Sequence, residues 1–99
     1  MKSNYLVRCH HFLDGSLYFD ARSIENCREN TVESLTNFAR KPYCHIKSDA
    51  FTKIAAGELY MLTTEFEGLN KSQAESRKIT LIEWFKGKGR VVLNQKIKK

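Results

Sequence analysis

The chain has 99 residues, 41% of them hydrophobic and 11% aromatic, with a formal net charge of +6. That is enough apolar material for one domain to fold without a covalent staple, and no stretch is apolar enough to span a membrane. Three widely spaced cysteines, Cys9, Cys27 and Cys44, speak against a disulfide framework and for free thiols in a reducing, cytoplasmic setting, while the polar residues of "MKSNYLVRCHHF" break up any signal-peptide core.

The opening "YLVRCHHFLDGSLYFDA" reads as two strands around a turn. A three-residue loop of Leu13, Asp14 and Gly15, with Gly15 left-handed, sets His11 opposite Leu17, Cys9 opposite Phe19 and Val7 opposite Ala21 on one apolar face. The reverse face then pairs His10 with Tyr18 and Arg8 with Asp20, an exposed cluster in which opposite charges meet. A two-residue loop of Asp14 and Gly15 would mix the two sets.

In "IENCRENTVESLTNFARKP" the residues Ile24, Cys27, Val32, Leu35, Phe38 and Ala39 fall near helical spacing, which predicts a helix over about residues 31–41. Asn30 and Glu33 supply a capping box, and Arg40, Lys41 and Pro42 a cationic end and a stop. Residues 24–29 either join that helix or form a separate turn. "YCHIKS" reads as a short strand, and "SDAFTKIAAGE" as a short helix capped by Ser48 or Asp49 and ended by Gly57. "LYMLTTEF" reads as a strand with Tyr60, Leu62 and Phe66 on one face; a helix continuing through Gly57 is the rival reading. Residues 67–78, polar and rich in loop-forming types, read as a mobile loop suited to making contacts.

Near the end, "KITLIEWF" and "RVVLNQKI" flank "KGKG", and a turn centred on Gly87 and Lys88 sets Trp84 opposite Val91 and Ile82 opposite Leu93 as an inward face. The outward face then carries Phe85 and Arg90, Asn94, Lys96 and Lys98. Eleven basic and eleven acidic residues balance as far as Phe85, and the last fourteen residues add Lys86, Lys88, Arg90, Lys96, Lys98 and Lys99 with no acid. The whole excess charge sits at one end, with residues 96–99 as a basic tail, and such asymmetry points to an anionic partner.

These elements make a single α+β domain over residues 1–99. Its antiparallel sheet has about five or six strands, including N- and C-terminal hairpins, with one face covered by the Val32/Leu35/Phe38 helix and a short second helix. Lys and Arg convergent on the terminal hairpin, beside the aromatic Phe85, suit the phosphates and unpaired bases of DNA or RNA. Phe85, Lys86, Lys88, Arg90, Asn94, Lys96, Lys98 and Lys99 are therefore the candidate binding residues of a non-catalytic, cytoplasmic nucleic-acid-binding module. Lysines also protect strand edges and keep tails soluble, which is the competing use of the same charges. The alternative function is a regulator or inhibitor, of the kind phages and plasmids encode, that docks its basic end and exposed aromatics on a protein of a nucleic-acid-processing machine.

No cofactor signature is present: Gly87 and Gly89 precede no helix that would make a phosphate loop. Cys9, His10, His11, Cys27, Cys44 and His45 offer zinc-type ligands, but no two cysteines lie a turn apart and His10 and His11 point to opposite faces of a strand, so no metal site is assigned. Cys9, Cys27 and Cys44 read as small buried hydrophobes and His11 as a hydrogen-bonded core imidazole. For catalysis the candidates are His10 with Arg8, Tyr18 and Asp20, a grouping suited to acid/base work on a phosphodiester. In size, charge and a terminal antiparallel hairpin the chain resembles the small ribonuclease toxins of bacterial toxin-antitoxin pairs. It opens with a strand pair where they have a strand and a helical hairpin, and no residue carries across.

Overall fold

The computed structural model describes residues 4–24, 31–41 and 48–94. In chain order these form β1 (Tyr5–Phe12), β2 (Leu17–Ser23), α1 (Val32–Ala39), α2 (Asp49–Ala55), β3 (Leu59–Leu69) and α3 (Lys71–Gly87). The α+β class is as expected, but the described residues contain one three-stranded antiparallel sheet, ordered β2-β1-β3, in place of five or six strands. The "YCHIKS" strand and the choice of structure for residues 25–29 fall outside the described residues, as do Asn30, Pro42 and the tail.

The N-terminal hairpin has the expected register, from His11 opposite Leu17 through Arg8 opposite Asp20 to Val7 opposite Ala21. Gly15 sits at φ +89° and donates its N–H to Phe12 O at 2.9 Å, closing the three-residue loop. Side chains alternate across a strand, so the hairpin has two faces. On one, Cys9, Leu17 and Phe19 are buried against Leu81, Ile82 and Phe85 of α3. On the other, Phe12 joins Leu35, Ala50, Ile54 and Leu59, with Tyr18, Leu62 and Phe51 packed around them. The sheet thus lies between α3 and the α1–α2 pair. The face carrying His10 and Arg8, expected to be exposed, is covered: His10 is 1% and Arg8 4% accessible.

α1 is capped one residue later than expected: Ser34 N–H donates to Thr31 Oγ1 at 3.0 Å and Thr31 N–H to Ser34 Oγ at 3.2 Å. A threonine hydroxyl accepts the capping N–H bond too, and the one-residue shift lets the helix begin where Val32 and Leu35 meet the core. Arg40, expected to answer the negative end of its own helix, donates from Nε to Ala55 O at 2.7 Å and so ties α1 to the end of α2. α2 starts at Ser48, whose Oγ accepts from Phe51 N–H, and ends with Gly57 at φ +82°. Gly57 N–H reaches Ile54 O and Glu58 N–H reaches Lys53 O, both at 3.0 Å, the paired bonds of a Schellman stop.

The main correction lies after residue 66. Residues 67–78, read as a loop, are the end of β3 and the first half of α3, and the C-terminal hairpin does not form, because "KITLIEWF" is helical. Asn70 and Gln73 make a reciprocal capping box, and Ala74, Lys78, Leu81, Ile82 and Phe85 follow at helical spacing, forming the stripe that meets the sheet. "KGKG" is the helix stop. Gly89 at φ +84° donates to Lys86 O at 3.0 Å, and Arg90 N–H donates to Phe85 O at 3.0 Å, repeating the closure seen at Gly57.

Beyond the stop, the chain runs parallel to the outer edge of β2. Leu17 N–H donates to Val91 O at 2.9 Å and Leu93 N–H donates to Leu17 O at 2.7 Å. Asn94 then continues the ladder with its side chain: Oδ1 accepts from Phe19 N–H at 2.8 Å and Nδ2 donates to Phe19 O at 2.7 Å. Among the described residues no helix is long and apolar enough to cross a membrane.

Candidate functional site

Of the C-terminal candidates, Phe85 and Asn94 are committed to packing and Lys86, Lys88 and Arg90 are exposed around the end of α3. Phe85 is stacked on Phe19 at 5.5 Å between centroids, so it serves packing where an exposed stacking ring was expected. Asn94 is committed to the backbone of β2. Lys86 and Lys88 are exposed in the last turn of α3 and its cap, where they offset the partial negative charge of the helix end. Arg90 is exposed and donates from Nη2 to Gly15 O at 2.9 Å. Lys96, Lys98 and Lys99 lie outside the described residues. Trp84 and Val91, expected to face each other inside a hairpin, are both exposed.

The second cluster does converge, in a sheltered place. Arg8 Nη2 meets Asp20 Oδ2 at 3.2 Å, and Arg22 Nε approaches the same oxygen at 3.8 Å. His10 Nδ1 donates to Tyr18 O at 3.0 Å, and its ring meets the Tyr18 ring edge-on at 5.1 Å. Together with Phe51, Arg8, His10, Tyr18, Asp20 and Arg22 line a cavity of about 230 Å³. Burial drives the His10 pKa down to about 4, with the Asp20 charge working the other way and Arg8 adding to the fall. Burial raises the Tyr18 pKa, helped by Asp20. At neutral pH His10 is thus an uncharged hydrogen-bond donor and a weak base.

A third grouping was not legible in the sequence. The hairpin turn, the first residues of β3 and the end of α3 meet at one end of the sheet, since Phe12 pairs with Leu59 and Leu17 with the segment after α3. There Tyr60 is 54% and Trp84 55% accessible. Between them runs a row of rings and cations. The Tyr60 and His11 rings meet edge-on at 6.3 Å, the Arg90 guanidinium lies 5.9 Å from the Phe85 centroid, Trp84 meets Phe85 at 4.8 Å, and Lys88 Nζ sits 5.1 Å over Trp84. Arg90 also lies close enough to His11 to depress its pKa, which burial lowers most and the Glu65 charge raises.

Beside this row, on the same face as Cys9, the Thr63 hydroxyl bridges two side chains. It donates to Glu65 Oε2 at 2.7 Å and therefore accepts from His11 Nε2–H at 2.9 Å. Cys9 is 2% accessible, and burial, reinforced by Glu65, pushes its thiol up to about 12, so the free thiol is protonated and no nucleophile. His10 and His11 do lie on opposite faces, as their adjacency in a strand requires. No signal in the sequence placed Tyr60, Thr63 and Glu65 beside His11, because the pairing depends on which strand neighbours β1 and on the irregular register of β3. Neither the models of known families, nor the curated proteins, nor the solved structures contain a match to this chain.

Proposed function

We propose that the chain is a non-catalytic module that binds single-stranded nucleic acid along the row Tyr60, His11, Arg90, Trp84, Lys88, with Lys86 at its end. The observation that supports this is the alternation itself. Exposed rings at Tyr60 and Trp84 offer faces on which unpaired bases stack, and the cations between and beside them match a phosphate backbone. No Asp or Glu lies among residues 84–99, and the carboxylate that borders the row is Glu65, beside His11. Stacking on ring faces is tolerant of base identity, and this reading implies little sequence preference.

Trp84 is the only tryptophan, which makes its emission a reporter of the site. Titration with a mixed-sequence oligonucleotide at low salt is expected to quench it. With Lys86, Lys88 and Arg90 engaged, log affinity should fall with log salt at a slope of about −2, the value for roughly three single-strand phosphate contacts. In an anisotropy assay with labelled oligonucleotide, Trp84→Ala should cost about 1–3 kcal/mol. Unchanged emission with every oligonucleotide at low salt would refute the reading.

A second reading has its own observation. Leu13, Met61 and Val91 are exposed at the same end of the molecule, apolar surface for which a phosphate backbone has no use. With Tyr60, Trp84 and Arg90 they resemble the composition of a protein interface. The partner would then be an acidic surface on a protein of a nucleic-acid-processing machine. Salt-resistant capture of one protein from nuclease-treated lysate, lost in a Leu13→Ser and Met61→Ser variant, would select it.

A further inference from the structure

We propose that Cys9, His11 and Glu65 form a site for one thiophilic divalent ion of the zinc class, which shares His11 with the ring-and-cation row but does not rest on that row binding nucleic acid. One ligand atom from each residue lies within 4.8 Å of the other two. Around zinc, bonds of roughly 2.0–2.3 Å in a tetrahedron hold ligand atoms about 3.3–3.8 Å apart, so the residues need close by only about 1 Å. Glu65 is exposed and held only by the Thr63 hydroxyl, so a turn of its side chain can make that adjustment.

The backbone explains why three distant residues converge. Cys9 and His11 are alternate residues of β1 and project to one face, while Thr63 of β3 stands opposite Cys9. Glu65 is an extra residue: Arg8 pairs with Thr64 and Val7 with Phe66, so the strand bulges between them. Two residues from Thr63 along β3, Glu65 falls on the Cys9 face by alternation, and the bulge leaves it opposite no residue of β1, within reach of the Thr63 hydroxyl that also holds His11.

The donor set is also chemically balanced. A thiolate and a carboxylate neutralise a divalent charge, and the imidazole adds a neutral nitrogen. Binding expels one proton, that of the Cys9 thiol, to solvent as the sulfur–metal bond forms. The Thr63 hydroxyl, bonded to both His11 and Glu65, restrains both before an ion arrives, as the outer partners of metal ligands do. Arg90 nearby favours the thiolate but repels the cation, and the two anionic ligands act against that repulsion. Three protein ligands leave a fourth position for water or an external donor, the arrangement of an open site.

The test uses Co²⁺ as a spectroscopic substitute for zinc in a chelator-stripped Cys27→Ser, Cys44→Ser protein, where Cys9 is the only thiol. The expected result is one ion per chain, a near-ultraviolet thiolate-to-cobalt charge-transfer band, and displacement by Zn²⁺. Cys9→Ser should abolish the band. Because Cys9 lies in the core, the deciding variant is the exposed Glu65→Gln, which should keep the circular dichroism spectrum and weaken Co²⁺ binding about tenfold or more. Absence of the band, or a Glu65→Gln protein that binds as tightly as its parent, would overturn the proposal.

Discussion

His10 gives the fold a measurable sensitivity to acid. Its imidazole is 1% accessible, donates to Tyr18 O and stands beside Arg8 and Asp20, and burial takes its pKa from 6.5 to about 4. Below pH 6.5 the unfolded chain takes up a proton that the folded chain refuses until about pH 4. The unfolded state therefore binds more protons across that window, and stability is lost as the pH falls through it. For these two values the loss between pH 7 and pH 4.5 is about 2–2.5 kcal/mol, a large share of a small domain's stability. The assay is urea unfolding at both pH values for the parent and for His10→Asn, whose amide keeps a donor for Tyr18 O. The variant should start less stable but lose about 2 kcal/mol less on acidification. Equal losses in the two proteins would show that His10 titrates normally and that its environment is wetter than described.

Two further perturbations address the end of the chain. Asn94→Ala leaves Phe19 N–H and C=O without their partners and should cost about 1–3 kcal/mol in chemical denaturation, whereas an unchanged midpoint would mean that solvent replaces the amide freely. The glycines of "KGKG" should respond in opposite directions. Gly89→Ala forces a side chain into φ +84° with no steric contact within 4 Å and should destabilise by about 1 kcal/mol. Gly87→Ala lies in the last helical residue with open space around it and should stabilise by up to roughly 0.5 kcal/mol. Loss of stability in both would argue for a turn in place of the helix end.

How far the sequence could be read depended on whether local and long-range preferences agreed. In the N-terminal hairpin, Gly15 and the alternation of apolar residues demand one register, and the structure has it. Gly57 and Gly89 close their helices with the same pair of hydrogen bonds, yet only the first is readable as a helix stop. Ahead of Gly57 stands an alanine-rich helical segment; ahead of Gly89 stand Ile79, Thr80, Ile82, Trp84 and Phe85, types that favour strands in isolation. The decisive signal lay further back, where Asn70 and Gln73 start a run of helix-forming residues that reads as a loop on composition alone. The polar face of the hairpin was identified, but its covering was not: a buried arginine and histidine are recognisable only once Asp20, Tyr18 O and the α1–α2 pair are seen around them. The ring-and-cation row and the Cys9, His11, Glu65 grouping depend on β3 lying beside β1, a neighbour relation no local pattern encodes.

The irregular course of β3 reaches beyond the site it shapes. Its register against β1 is broken at three places within eleven residues, and among the described residues no strand pairs with its outer side. A flat, uninterrupted rim of that length would invite other copies to add on, backbone to backbone, without limit. The breaks, with the exposed Glu65 and Glu67 on the same strand, leave only short straight runs, so the irregularity that sets Glu65 opposite no residue of β1 also makes this rim a poor template for an added strand.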